Sequence, residues 1–145
     1  MLSAFSAESV EFLLVGAYAL AAHGYPRATG DMDIWIRRSE ENAQRVWRAL
    51  QAFRAPLFDL ALQDLVTADM VFQIGAAPRR IDILTSIDAV EFDEAWPRRK
   101  EVEIEGQKLA VIGRADLLRN KKALGRPKDL ADAAWLEADE HHDRP

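Results

Sequence analysis

The sequence predicts a mixed α/β domain, a small sheet with helices packed on it, and three observations predict it. Short apolar runs such as Glu11 to Val15 and the Ile34-Trp35-Ile36 segment, bounded by glycine turns or charged residues, read as buried strands. Between them lie stretches with helical spacing, clearest in Ala43, Val46, Trp47, Leu50 and Phe53. Of the 145 residues 49% are apolar and 30% charged, ordinary for a soluble chain able to enclose one core. The expected domain covers residues 1–138, and residues 139–145 form a frayed polar tail.

In order, Ser3 to Val10 suits a short leading helix, and Glu11 to Val15 a strand stopped by Gly16. Ala17 to Ala22 is alanine-rich and helical, ended by Gly24 and Pro26. Asp31 to Ile36 is the second strand. Ser39 is placed to cap the next helix, with Glu40 and Glu41 in the first turn where the helix dipole favours acids. That helix runs to about Phe53, and Pro56 breaks the chain after it. Leu57 to Leu65 is a weaker helix or a loop. Met70 to Ile74 and Arg80 to Leu84 form a hairpin through Gly75-Ala76-Ala77-Pro78. Phe92 to Arg99 reads as irregular. A second hairpin pairs Val102 to Glu105 with Lys108 to Ile112 around Gly106-Gln107. Arg114 to Leu124 is helical, Gly125 to Pro127 breaks it, and Lys128 to Glu137 is the last helix.

Composition narrows the function. A net charge of −5 argues against bulk coating of nucleic acid, although two local basic runs exist, Arg98-Arg99-Lys100 and Arg119 to Lys128. There is no cysteine, which excludes disulfides, thiolate metal sites and a cysteine nucleophile. The most apolar stretch, Phe12 to Ala22, is far short of the ~20 residues a membrane span needs. With Glu8 and Glu11 before it rather than basic residues, it does not read as a signal peptide. A cytoplasmic location without membrane contact is expected; oligomeric state is not legible.

The chemistry is concentrated in two aspartates one residue apart at the mouth of the second strand. In an extended chain Asp31 and Asp33 share a face, opposite Met32, Ile34 and Ile36. Two carboxylates so close repel unless a cation sits between them, and Mg²⁺ suits because it takes carboxylate oxygen and keeps room for phosphate. Asp82 alternates with Ile81 and Ile83; if its strand lies beside the first, three aspartates converge. Three carboxylates can hold one or two Mg²⁺ ions bridging a nucleoside triphosphate. Gly16 and Ala17 stand where a strand turns into a helix, so their backbone N–H groups can receive phosphate oxygen.

The run LLVGAYALAAHGYPRATGDMDIWI resembles the signature of the nucleotidyltransferase superfamily that includes DNA polymerase β, and more narrowly the small bacterial abortive-infection nucleotidyltransferases. In that family a Gly-Gly or Gly-Ser turn precedes a D-x-D strand and a lone aspartate follows on a later strand; here these are Gly16-Ala17, Asp31/Asp33 and Asp82. The stretch from Arg119 to Asp132 is similar to the family's C-terminal motif, a helix lysine followed by R-x-x-D-L-x-D. One departure is Ala17, which keeps the N–H but lacks the hydroxyl of serine and the freedom of glycine.

The resemblance implies the nucleotidyltransferase fold with a C-terminal helix pair. It also implies transfer of a nucleoside monophosphate from an NTP to a hydroxyl, with release of pyrophosphate. Asp31 and Asp33 would be ligands to two Mg²⁺ ions, and Asp82 a further ligand and proton acceptor. Lys121 would neutralise phosphate, with Arg126 or Lys128 in lesser roles, and Arg27 and Thr29 would touch phosphate from the loop before the D-x-D strand. The acceptor, whether RNA, a partner protein or a small molecule, is left open, as is a place in a toxin–antitoxin or phage-defence pair.

Each residue has a plainer reading. Asp31 and Asp33 alone would be a solvated pair, and Asp82 an exposed acid or a partner of Arg79 or Arg80. Lys121 could face solvent, while Asp129 and Asp132 read as helix acids paired locally with Arg126 or Lys128. His23 reads as a capping or packing residue, and His141 and His142 lie in the tail. Of the four tryptophans only Trp35, on the face of Asp31 and Asp33, is a candidate to stack a base. Two further functions compete. One is a relative without turnover that binds nucleotide or a partner. The other is a haloacid-dehalogenase-type phosphatase, which is rejected because its aspartates follow the apolar strand and its fold is larger.

Overall fold

The computed structural model describes residues 2–25, 31–55, 57, 60–75, 80–104 and 106–139. Six strands form one mixed sheet. They are β1 (Phe12–Val15), β2 (Met32–Ile36), β3 (Val71–Ile74), β4 (Ile81–Leu84), β5 (Lys100–Ile104) and β6 (Gln107–Val111). Their order is β3-β4-β2-β1-β6-β5. The helices are α1 (Leu2–Ala7), α2 (Gly16–Ala22), α3 (Glu40–Ala52), α4 (Phe92–Ala95), α5 (Arg114–Leu124) and α6 (Pro127–Asp139).

The continuous apolar run of β1 has a simple cause: it is a central strand, and all four of its side chains are buried. It runs antiparallel to β2 and parallel to β6, while β2 and β4 are parallel. The parallel pairing requires a long crossover, which α3 supplies. Ser39 caps that helix, its Oγ accepting from the Asn42 N–H at 3.1 Å. Asn42 is itself buried. Its amide receives the Glu11 N–H and donates to the carbonyls of Glu11 and Arg37, fixing α3 to the start of β1 and the end of β2. Both hairpins form as expected, β3 with β4 and β5 with β6. The connection at 76–79 lies outside the described residues.

Two stretches differ from expectation, Phe92 to Arg99 and the start of the last helix. Phe92 to Arg99 is helical, α4 followed by a 3₁₀ turn at Trp96–Arg98. Phe92 and Ala95 are buried and Trp96 stacks on Phe92, a one-turn apolar face too short for periodicity to reveal. Among its described residues, Leu57 to Leu65, expected as a weaker helix or a loop, enters a 3₁₀ turn at Leu62–Val66. The last helix starts at Pro127, whose missing N–H costs nothing in a first turn. Gly125 ends α5 in the left-handed conformation at φ +68°. Among the described residues no helix is long and apolar enough to cross a membrane; residues 140–145, with His141 and His142, lie outside them.

Candidate active site

The sheet register assembles the acids. Val15, Asp33 and Asp82 lie side by side on β1, β2 and β4. Residues in register on neighbouring strands share a face, so Asp33 and Asp82 are a like-charged cross-strand pair, which costs stability unless neutralised. One residue before the ladder, Arg80 accepts the Met32 N–H on its carbonyl, placing it beside Asp31. Asp31, Arg80, Asp33 and Asp82 therefore form a two-by-two block at the ends of two strands.

This block floors a cleft of about 530 Å³. Gly16, Ala17 and Leu20 line it from α2, Asn120, Lys121 and Leu124 from α5, and Arg126, Lys128 and Asp132 from the segment beyond. Seven of the expected site residues thus meet at one place: Asp31, Asp33, Asp82, Lys121, Gly16, Ala17 and Arg126. Arg27 and Thr29 lie outside the described residues.

Gly16 is dictated twice. Its φ of +68° strains any L side chain, and a Cβ there would stand 2.3 Å from Asp33 Oδ2. The strand-to-helix turn is thereby brought against the Asp33 carboxylate. The residue before α2, Val15, has no capping oxygen to offer its first N–H groups.

Asp33 is penalised by its burial and by the like charges beside it. Burial, then the charges of Asp82 and Asp31, raise the Asp33 pKa above the usual carboxylate value; Lys121 and Arg80 oppose this but do not prevail. Arg80 Nη2 donates to Asp31 at 3.2 Å. Its Nε lies 3.2 Å from Asp82 Oδ1 without hydrogen-bond geometry, and both atoms are buried with no hydrogen-bond partner. Asp82 is thus neither the exposed strand acid nor a fully satisfied ion partner of Arg80.

Lys121 does not face solvent. It is 6% exposed and held between Asp129 at 3.4 Å and Asp132 at 3.2 Å, both buried. Arg126 also binds Asp129. Burial works against the Asp129 carboxylate, but the Arg126 hydrogen bond and the Lys121 charge outweigh it and lower its pKa. The expectation that Asp129 and Asp132 pair locally with Arg126 or Lys128 holds for Asp129 with Arg126. Asp132 turns inward to Lys121.

Trp35 is corrected. It is 2% exposed and packs edge to face on Phe92, so neither ring face is open to a base. The other tryptophans pack as expected, Trp135 on Tyr25 and Trp96 on Phe92. His23 is buried with Nε2 2.8 Å from the Ile112 carbonyl, a packing role. The run Arg98-Arg99-Lys100 does not line the cleft: Arg98 forks onto buried Asp116 and Arg99 lies over Trp96. Sequence reading weighed Arg80 only as a partner of Asp82, although the i, i+2 spacing of Arg80 and Asp82 put both on one face.

The donor set suits a hard divalent cation, since it is all carboxylate and carries an excess of negative charge with one buried oxygen unpartnered. Among the described residues no three such side chains stand in a ready ligand arrangement, and Arg80 contacts both Asp31 and Asp82.

No protein-family model matches the sequence, and no curated protein matches it. Among solved structures the chain is similar to TM1012 of Thermotoga maritima, a protein provisionally named a nucleotidyltransferase. The match has a TM-score of 0.58 at 20% identity and covers 94% of this chain and 88% of that one. At that identity the likeness is one of fold: the chain has a nucleotidyltransferase-like fold.

Proposed function

We propose that the protein is a metal-dependent nucleotidyltransferase. The observation that carries this reading is the register of Asp33 beside Asp82, in a cleft that also presents Asp31 and, from the facing helix, Lys121. Asp31, Asp33 and Asp82 would hold Mg²⁺, which supplies charge neutralisation of a nucleoside triphosphate. Gly16 and Ala17 receive phosphate oxygen on their N–H groups, and Lys121, fixed by Asp129 and Asp132, adds positive charge from the opposite wall. Asp82, with a buried oxygen lacking a donor, accepts the proton of the acceptor hydroxyl. The new bond joins that oxygen to the α-phosphorus, and the bond to the leaving pyrophosphate breaks.

The acceptor class divides RNA, protein and small molecule, and a self- or partner-modifying role in a toxin–antitoxin or phage-defence pair belongs to the protein branch. A second reading, a nucleotide- or partner-binding module without turnover, is favoured by Ala17 and by Arg80 spanning two of the acids. The test is label transfer. The protein is incubated with each α-³²P-labelled NTP, Mg²⁺ or Mn²⁺ and cell extract, beside the Asp31→Asn/Asp33→Asn variant. Label on an RNA, protein or small-molecule product, absent with the variant, is expected. A folded protein giving no label with any nucleotide would select the second reading.

A further inference from the structure

We propose that Arg80 is a resident counter-ion of the acidic cleft, one that yields Asp31 and Asp82 to a divalent cation and then turns to the triphosphate. This deepens the nucleotidyltransferase reading and rests on it. Arg80 reaches both carboxylates at 3.2 Å, one through Nη2 and the other through Nε. A divalent cation held by these acids would take up the carboxylate charge that Arg80 now neutralises, and its own charge would repel the guanidinium, so the two compete there.

The two contacts are unequal, and the inequality says which way Arg80 moves. The bond to Asp31 has hydrogen-bond geometry but is partly open to water, with the two side chains 37% and 41% exposed. The contact to Asp82 is buried but misaligned, leaving Nε and Oδ1 both unpartnered. A charged pair held without its hydrogen bond is poorly stabilised, because desolvation is incurred while the compensating bond is not made. Arg80 is therefore a weakly held cation in a strongly acidic place. It lines the cleft that Lys121 also lines, so a pivot of its planar fork away from the acids would carry it into that space. A guanidinium displaced there meets phosphate, to which its fork binds in bidentate fashion. Metal and nucleotide binding are coupled through this one side chain. Without nucleotide Arg80 opposes the metal; with nucleotide it joins the metal in holding the phosphates.

The experiment measures Mn²⁺ affinity by the loss of the free-ion electron paramagnetic resonance signal, for the wild type, Arg80→Met and Arg80→Lys, without and with a non-hydrolysable NTP. Removing the competing charge is expected to tighten Mn²⁺ binding alone by about tenfold in Arg80→Met, an effect of the size of one near charge pair at a partly exposed site. The same variant is expected to weaken nucleotide binding at saturating Mn²⁺ by about tenfold, the loss of one charge-assisted contact. Arg80→Lys, which keeps the charge without the fork, falls between on both. Equal or weaker Mn²⁺ binding in Arg80→Met overturns the counter-ion role while leaving the metal-dependent reading intact. Failure of the wild type to bind Mn²⁺ at all, with or without nucleotide, overturns both. A readout on the wild type alone guards against a variant that does not fold. The Arg80 Nε–H resonance, assigned by its loss in Arg80→Lys or by through-bond connection, is expected to shift on Mg²⁺ addition before any nucleotide is present. An unmoved resonance at saturating Mg²⁺ would overturn the proposal.

Discussion

Two clusters of charge face each other across the cleft, built from the same residue types and left in opposite electrostatic states. On the sheet, Arg80 pairs with both Asp31 and Asp82, and Asp33 beside them has a raised pKa. On the helix pair, Asp129 and Asp132 share Lys121, Arg126 adds a second cation to Asp129, and Asp129 has a lowered pKa. The helix cluster is balanced, and its lysine and two aspartates are buried and bonded, as a structural device requires. The sheet cluster is in deficit, with a like-charged pair in register and a buried oxygen lacking a donor. An unmet need for positive charge marks the side where a ligand is received, and the balanced side is what positions Lys121 to meet it.

The largest effect expected is from Lys121→Met, which leaves two buried carboxylates without their shared cation. A loss of about 3–5 kcal/mol in urea denaturation is predicted, with partial recovery on adding Asp132→Asn. A loss under about 1 kcal/mol would break the claim that this cluster is balanced. Next is Gly16→Ala, which forces a side chain into positive φ and against Asp33; about 2 kcal/mol is expected by the same measurement.

The sharpest contrast is in pH dependence. For Asp33 the folded pKa is above the unfolded value near 3.8, so the native state holds more protons and stability falls as pH rises from the unfolded to the folded pKa. At neutral pH without metal the charge is a burden, and Asp33→Asn should stabilise the protein in EDTA by about 1 kcal/mol. For Asp129 the sign reverses. Its contribution is full above the unfolded value and is lost as pH falls through the lowered folded pKa, so Asp129→Asn should flatten the acid limb. Denaturation midpoints across pH, in EDTA, check both; matching signs would erase the contrast. The smallest effect is at Arg126, whose side chain is more than half exposed: Arg126→Ala should cost below about 1 kcal/mol, because Lys121 still serves Asp129.

Much of this was legible in the chain, and the gaps have physical causes. Apolar runs and capping residues located β1, β2 and α3 because they are local. The D-x-D pair and Gly16 were visible, but not that a Cβ at 16 would strike Asp33, since that needs β1 beside β2. The convergence of Asp82 hung on a parallel pairing separated by a whole crossover. Alternation put Trp35 on the acidic face, yet the residue that covers it, Phe92, belongs to a helix too short to predict. The burial of Lys121 depends on Asp132, which lies across a helix break, and no periodicity spans a break. Arg80 was legible as a partner of Asp82, but its reach to Asp31 was not, because that needs β2 beside β4.

The most direct test of the central claim, that the sheet cluster is the deficient side built to receive a metal-bound triphosphate, is calorimetric titration of NTP into the protein with Mg²⁺ and with EDTA, beside Asp31→Asn/Asp33→Asn. Binding that requires Mg²⁺ and is abolished in the variant is predicted. Binding of equal strength in EDTA, or in the variant with Mg²⁺, would contradict it.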